Sequence, residues 1–184
     1  MKRRRWDAIL NRINPDKRIV GVEVGVWTGK NATRLLMARP QLTLYLVDPW
    51  LAAVPGSSFA ASGAEMATFD QEKFDAAKEQ VVVLAKQYGK RIKILEMNST
   101  DGAVEIAKRR VHIHFVFIDS DHSYDGVRRD LNNWAGFLEN GSLLWIGGHD
   151  YANKNGEVKR AVDEFFGEDR VQVDSDHTWF VFPR

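Results

Sequence analysis

The chain has 184 residues, 44% of them hydrophobic and 28% charged, with 26 basic residues against 25 acidic and a formal net charge of +1. That length supports one domain with a sizeable core, and the balanced charge gives no footing for a polyanion-binding surface. There is no cysteine, so disulfides and thiolate chemistry are excluded, and no apolar run approaches the roughly 20 residues of a membrane span. With no signal-peptide pattern either, a cytoplasmic protein without membrane association is the expectation.

Taken in chain order, residues 4–13 read as a helix inside an N-terminal segment, 1–17. The basic run Lys2-Arg3-Arg4-Arg5 reads as its solvated start rather than as a nucleic-acid tail. A first strand follows at 18–24, where Ile19, Val20, Val22 and Val24 stop at Gly25. Gly29 comes next, and 31–37 reads as a helix stopped by Pro40. Strand, glycine turn and helix start together form the arrangement that cradles nucleotide-like ligands, with the acid Glu23 just before the turn. A second strand, 42–47, ends in Asp48. An acid at about that distance, of the order of twenty residues, sits at a strand tip where it can accept both hydroxyls of a ribose.

Residues 49–68 are rich in Ala, Gly and Ser, Ser62 and Gly63 among them, and are long for a connection in a compact α/β domain. They read as a lid over the ligand, anchored by Phe59 and Met66, or as a plain surface loop. A helix then places Phe74, Ala77, Val81, Leu84, Ala85 and Tyr88 on one face and closes at Gly89. A strand at 92–95, a helix at 101–108 and an almost unbroken apolar strand at 113–118 follow. Tyr124, Val127, Leu131, Trp134 and Leu138 mark the next helix, and 142–146 the fifth strand. Val158, Ala161, Val162, Phe165 and Phe166 mark a last helix ending at Gly167. Two short strands, 170–173 and 178–182, read as a closing hairpin. The alternation predicts an α/β three-layer sandwich: a mostly parallel seven-stranded sheet with a reversed last strand and helices on both faces, forming one domain over 1–184.

The turn carries only two glycines, as Glu23-x-Gly25-x-x-x-Gly29, whereas a dinucleotide fingerprint needs a third. Trp27 and Thr28 stand where a pyrophosphate would approach most closely. A phosphate-free ligand built from adenosine and an amino-acid arm fits better, and S-adenosylmethionine (SAM) is such a ligand. Two alternatives stay open: a non-catalytic SAM-binding module, and an NAD-dependent oxidoreductase on a related fold.

Further on stand Phe117-Ile118-Asp119-Ser120-Asp121-His122-Ser123-Tyr124 after the fourth strand and Gly147-Gly148-His149-Asp150-Tyr151 after the fifth. With Glu23, Gly25, Gly29, Asp48, Asp130, Trp134 and Gly141, and with 158–161 after them, these motifs resemble the class I, Rossmann-like SAM-dependent methyltransferases. Within that class they resemble the small family labelled 24, over roughly residues 20–166. The resemblance implies that Glu23, Gly25, Val26, Trp27, Gly29, Asp48 and Asp119 hold SAM and that Asn98 and Ser99 lie near its adenine. A helix cap is an equally good reading of Asn98 or Ser99. Core packing is the better reading of Trp50.

Asp119, Asp121, His122, His149 and Asp150 all fall at the carboxyl tips of strands, where open α/β sheets bind ligands, and they are the catalytic candidates. Methyl transfer to a hydroxyl needs alignment and removal of a proton. His122 or His149 suits the second task, as does Asp121 if desolvation raises its pKa. Asp119, His149 and Asp150 are also candidate ligands of a divalent cation, as in the metal-dependent O-methyltransferases. Those enzymes, however, follow the fifth strand with Asp-Asp or Asp-Asn. Among the blander readings, Asp121 or Ser123 caps a helix, Asp130 is a surface acid or a partner of Arg128 or Arg129, His112 and His114 are structural, and His177 is solvated. The expected activity is SAM-dependent methylation of a small molecule at oxygen, with no nucleic-acid partner. The oligomeric state is open, a homo-oligomer included.

Overall fold

The computed structural model describes residues 3–61, 65–139, 141, 143–152 and 156–184. Lys2, Ser62 and Gly63, named above, and residue 142, where the fifth strand was expected to begin, lie outside them. Its helices are α1 (Arg5–Leu10), α2 (Lys30–Ala38), α3 (Ser58–Ala61), α4 (Gln71–Tyr88), α5 (Ser99–Lys108), α6 (Tyr124–Glu139) and α7 (Glu157–Phe166). Its strands are β1 (Ile19–Val24), β2 (Leu42–Val47), β3 (Ile92–Leu95), β4 (Phe115–Ile118), β5 (Trp145–Gly148), β6 (Gln172–Val173) and β7 (Trp179–Val181).

The strands form one seven-stranded sheet in the order β3-β2-β1-β4-β5-β7-β6. The first five run parallel, β7 runs antiparallel to β5, and β6 pairs antiparallel to β7. One face packs Val22, Val24, Val116 and Ile118 against α5, α6 and α7, with Trp134 fully buried. The other packs Leu44, Leu46 and Phe117 against α1, α2 and α4. The strand order reverses between β1 and β4, and a doubly wound sheet opens its ligand crevice at such a point.

Several bounds shift from the sequence reading: the strands read at 113–118 and 170–173 begin at Phe115 and Gln172, the helix read at 101–108 begins at Ser99, and the last strand is Trp179–Val181. Three differences matter more for the site. α1 stops at Leu10, whose carbonyl, one of the end groups a helix leaves without an internal partner, accepts from the guanidinium of Arg39 at 2.7 Å. β5 sits further along the chain than residues 142–146 and includes Gly147 and Gly148. A Cβ on Gly148 would lie 2.5 Å from the Ile118 carbonyl oxygen, so only glycine lets the strands close here. The segment 49–68 is not structureless: α3 and a 3-10 turn, Glu65–Thr68, form within it, and α3 lies against α6.

Candidate functional site

The site begins with the turn after β1. Gly25 has φ +83°. Its N–H donates to the Val47 carbonyl at 2.9 Å, while the Asp119 N–H donates to the Val24 carbonyl at 2.7 Å. The turn is thereby wedged between the tips of β2 and β4. A Cβ at Gly25 would lie 2.2 Å from the Asp119 carbonyl oxygen. Gly25→Ala therefore combines a left-handed φ with a backbone collision. It is expected to cost about 3 kcal/mol or more in urea unfolding, and a loss below about 1 kcal/mol would contradict this account.

Asp48 holds the turn in shape. One carboxylate oxygen accepts from the N–H groups of Val26, at 2.8 Å, and Trp27, at 3.0 Å; the other accepts from Trp50 N–H at 2.7 Å. Burial raises its pKa, and the three N–H donors oppose that without cancelling it. A carboxylate offers about four acceptor positions, so one is left for a ligand hydroxyl rather than the two a ribose pair would take. Trp50 is fully buried and donates its indole N–H to the Trp27 carbonyl at 2.9 Å, which is the core role read for it. The Trp27 ring packs on Phe74 and Phe69, at 5.1 and 5.6 Å between centroids, tying α4 and the residue just after segment 49–68 to the glycine turn.

A cavity of about 570 Å³ opens at this switch point. Gly25, Trp27, Asp48, Asn98, Ser99, Asp119 and Asp121 all border it, so the structure brings these candidates to one space; Phe59 and Met66 border it from the other side. Asn98 both lines the cavity and caps α5, its side-chain oxygen accepting from Asp101 N–H at 2.9 Å. Of the ionisable side chains around the cavity, Asp48, Asp101, Asp119, Asp121 and Asp130 are acids and Arg129 is a base. That excess of negative charge suits a cationic ligand.

Glu23, Val26 and Gly29 are not among the lining residues. Val26 acts through its N–H and buries its side chain, and Gly29 is the N-cap of α2. Glu23 lies beneath the turn, 2% exposed, with Asn31 donating to it at 3.3 Å. Burial first, then the charge of Asp119, pushes its pKa up from 4.5 to about 8. The folded state thus holds a proton that the unfolded chain releases, so stability is full below about pH 4.5 and falls as pH rises to about 8. Unfolding free energies from urea titrations across that window should decline by up to about 1.4 kcal/mol per pH unit, and Glu23→Gln should flatten the decline.

Beyond β4, Asp121 accepts from Ser123 N–H at 3.0 Å and Ser123 Oγ accepts from Gly126 N–H at 3.1 Å, so both shape the start of α6. Asp130 corrects an expectation. It is no surface acid but 1% exposed, it accepts from the Ser120 hydroxyl, and it borders the cavity. Its neighbours lie on α6 and the β4 tip, a proximity that helical periodicity does not encode. His114 is structural, accepting from Val20 N–H at 3.1 Å, and His177 is exposed.

Asp119, His122, His149 and Asp150 meet at the tips of β4 and β5, and of the four only Asp119 borders the cavity. His149 Nδ1 lies 2.8 Å from an Asp150 oxygen, and its Nε2 has no hydrogen-bond partner. His122 Nε2 stands 3.3 Å from Asp150 and 3.6 Å from Asp119. Burial disfavours the charged form of His122, but the bond and charge of Asp119, with Asp150 and Asp121, outweigh it and raise its pKa. Burial also works against the Asp150 carboxylate, yet the His149 bond and the charges of His122, His149 and Arg5 bring its pKa down to about 2.

Arg5 was not legible as part of this edge. Far from being solvated, its guanidinium pairs with Asp119, and its N–H donates to Asp176 of the hairpin turn at 3.1 Å. The two motif tyrosines are likewise anchored through α7: Tyr124 donates to Glu164 at 2.5 Å and Tyr151 to Asp163 at 2.6 Å.

Asp119, His149 and Asp150 each offer a ligand atom, all within 4.8 Å of one another. Two contacts already made there compete with a divalent cation. Arg5 already neutralises Asp119, and His149 Nδ1 and Asp150 are bonded to each other.

A family model described as a methyltransferase domain matches residues 22–151. No curated protein matches the sequence. Among solved structures, one described as a caffeoyl-CoA O-methyltransferase from Staphylococcus aureus is similar at TM-score 0.63 and 10% identity, covering 100% of this chain and 85% of its own. Cofactor-bound Rv0187 from MTB is similar at TM-score 0.56 and 15% identity, over 90% and 72% of the two chains. The METTL16 MTase domain is similar at TM-score 0.56 and 9% identity, over 96% and 63%. At such identities the likeness is one of fold. Among the described residues, no helix is long and apolar enough to cross a membrane.

Proposed function

The chain belongs to the methyltransferase domain family, as a SAM-dependent enzyme of class I fold, and from that premise we propose that it carries the methyl group of SAM to a small-molecule acceptor at an oxygen atom. Family membership removes the NAD-dependent alternative. What supports the reading most is the acid-rich cavity that Gly25, Asp48, Asn98 and Asp119 share at the switch point of the sheet.

Asp48 takes a ribose hydroxyl with its remaining acceptor position. Asn98 and Ser99 border the adenine, and the stretch from Gly25 to Trp27 faces the amino-acid arm. Phe59 and Met66, on segment 49–68, cover the bound ligand and exclude water. When bound, SAM supplies a methyl carbon activated by a positively charged sulfur. The chain's own residues supply alignment, which contributes several kcal/mol through positioning alone. They also supply a place for the proton. The proton leaves toward the acid–histidine edge beside Asp119, where His149, its Nε2 buried and 3.8 Å from Asp176, takes it and the ionised Asp150 holds the imidazole through Nδ1. His122 and Arg5 balance the charge of Asp119.

An acceptor must approach an edge where Arg5 and His122 face Asp119 and Asp150, a largely balanced set of charges that suits a neutral hydroxyl group. The description of the Staphylococcus aureus neighbour agrees with oxygen as the target atom. The test is calorimetric titration with SAM, S-adenosylhomocysteine and NAD, followed by mass spectrometry of a hydroxylated acceptor panel with isotope-labelled SAM. One-to-one SAM binding, no NAD response and label on oxygen are expected. Label on nitrogen or carbon would overturn the oxygen assignment, and NAD binding without SAM binding would overturn the whole reading.

A further inference from the structure

Arg5 is held, not loose. α1 buries Ala8 and Ile9 completely. Arg12 clamps the helix to the hairpin, bonding Asp174 at 2.6 Å with its guanidinium 3.7 Å from the Phe180 ring centre, and Arg39 takes the Leu10 carbonyl. From this fixed helix the Arg5 side chain, 28% exposed, reaches an Asp119 side chain that is 12% exposed.

The geometry points to Arg5 as the resident cation of the acid–histidine edge, a positioning residue standing where a divalent ion would otherwise sit. Asp119, Asp150 and Asp176 converge there, and some positive charge must face them. A guanidinium and a dication sharing one carboxylate repel each other, so the two are alternatives. With Arg5 in place, the edge works without a metal. With Arg5 gone, Asp119 is released, and a cation that displaces the His149–Asp150 contact meets one nitrogen and two oxygen donors already within 4.8 Å of one another, a set suited to manganese or zinc. What the edge does in catalysis rests on the function proposed above. Occupancy by a cation does not, and can be read without any methyl transfer.

The experiment is titration of the full chain with Mn²⁺ and Zn²⁺ by calorimetry, and with Mn²⁺ by electron paramagnetic resonance. It compares wild type, Arg5→Ala, Arg5→Lys, Asp119→Asn and Arg5→Ala combined with Asp119→Asn. Wild type and Arg5→Lys are expected to show no one-to-one binding, and turnover of wild type should survive dialysis against chelator. Arg5→Ala should bind one Mn²⁺ at least about tenfold more tightly than wild type, and Asp119→Asn should remove that gain. One-to-one cation binding by wild type that Asp119→Asn abolishes would overturn the proposal. So would a folded Arg5→Ala with no gain. Should Arg5→Ala fail to fold, the wild-type titration decides alone.

Discussion

Asp48→Ala is expected to weaken SAM binding by about a hundredfold, roughly 2.7 kcal/mol, and to destabilise the fold by about 3 kcal/mol. Two effects share one cause. The carboxylate accepts from Val26, Trp27 and Trp50 N–H groups, and the side chain is only 9% exposed. Alanine strands three backbone donors where little water can reach them, and each unmet donor costs of the order of 1–3 kcal/mol before relaxation. Val26 and Trp27 also shape the turn that faces the ligand, and Trp27 sits at φ +54°, a conformation that its surroundings must enforce. Asp48→Asn separates the effects. It keeps one acceptor oxygen but sets an NH₂ group against N–H donors, so the turn should loosen with a smaller loss of stability. Calorimetry for SAM and urea unfolding for stability read the two quantities independently. Unchanged SAM affinity in a folded Asp48→Ala would show that Asp48 is only a brace for the turn.

The division between what was readable and what was not follows the range of the forces involved. β2 at Leu42–Val47 and β3 at Ile92–Leu95 stand where the apolar runs place them, because burial on a sheet is written in consecutive residues. The glycine turn was equally readable, since its φ values demand glycine locally. Pairing across the chain left no such mark. Arg5 and Asp119 are separated by 114 positions, and nothing in a basic run says which of its members will turn inward. Asp130 looked like a surface acid because a helical period gives a face but not what covers that face; the Ser120 hydroxyl and the cavity beside it are facts of tertiary packing. Asp176 reached the edge through the hairpin, and the hairpin's placement depends on Gly147 and Gly148 letting β7 close on β5. The start and end of β5 failed for the same reason: two glycines read as a turn, and only the closeness of neighbouring backbones makes them strand.

His149→Ala is expected to lower kcat by about 10²- to 10⁴-fold, with SAM affinity within about threefold of wild type. The asymmetry comes from place. His149 does not border the cavity that Gly25 and Asp48 share; its Nδ1 lies 2.8 Å from Asp150 and 3.8 Å from Asp119, and its Nε2, without a hydrogen bond, faces Asp176 at 3.8 Å. Removing the imidazole leaves the lining of the cavity intact and takes away the group that receives the proton. Because His149 is 8% exposed, the truncation also leaves a small void, worth about 1–2 kcal/mol, and assays must be run well below the melting temperature of the variant. Asp150→Asn gives the internal check. A carboxamide oxygen still accepts the Nδ1 proton but carries no charge to stabilise an imidazolium, so kcat should fall by less than in His149→Ala while SAM binding again holds. Asp150 is depressed to about 2, so it is already ionised throughout any practical assay range, and its removal should not add a new acidic limb to the pH profile. A His149→Ala enzyme with normal kcat and weakened SAM binding would reverse the assignment. His149 would then belong to the donor side of the site, and the proton would have to leave through His122, 3.3 Å from the same carboxylate.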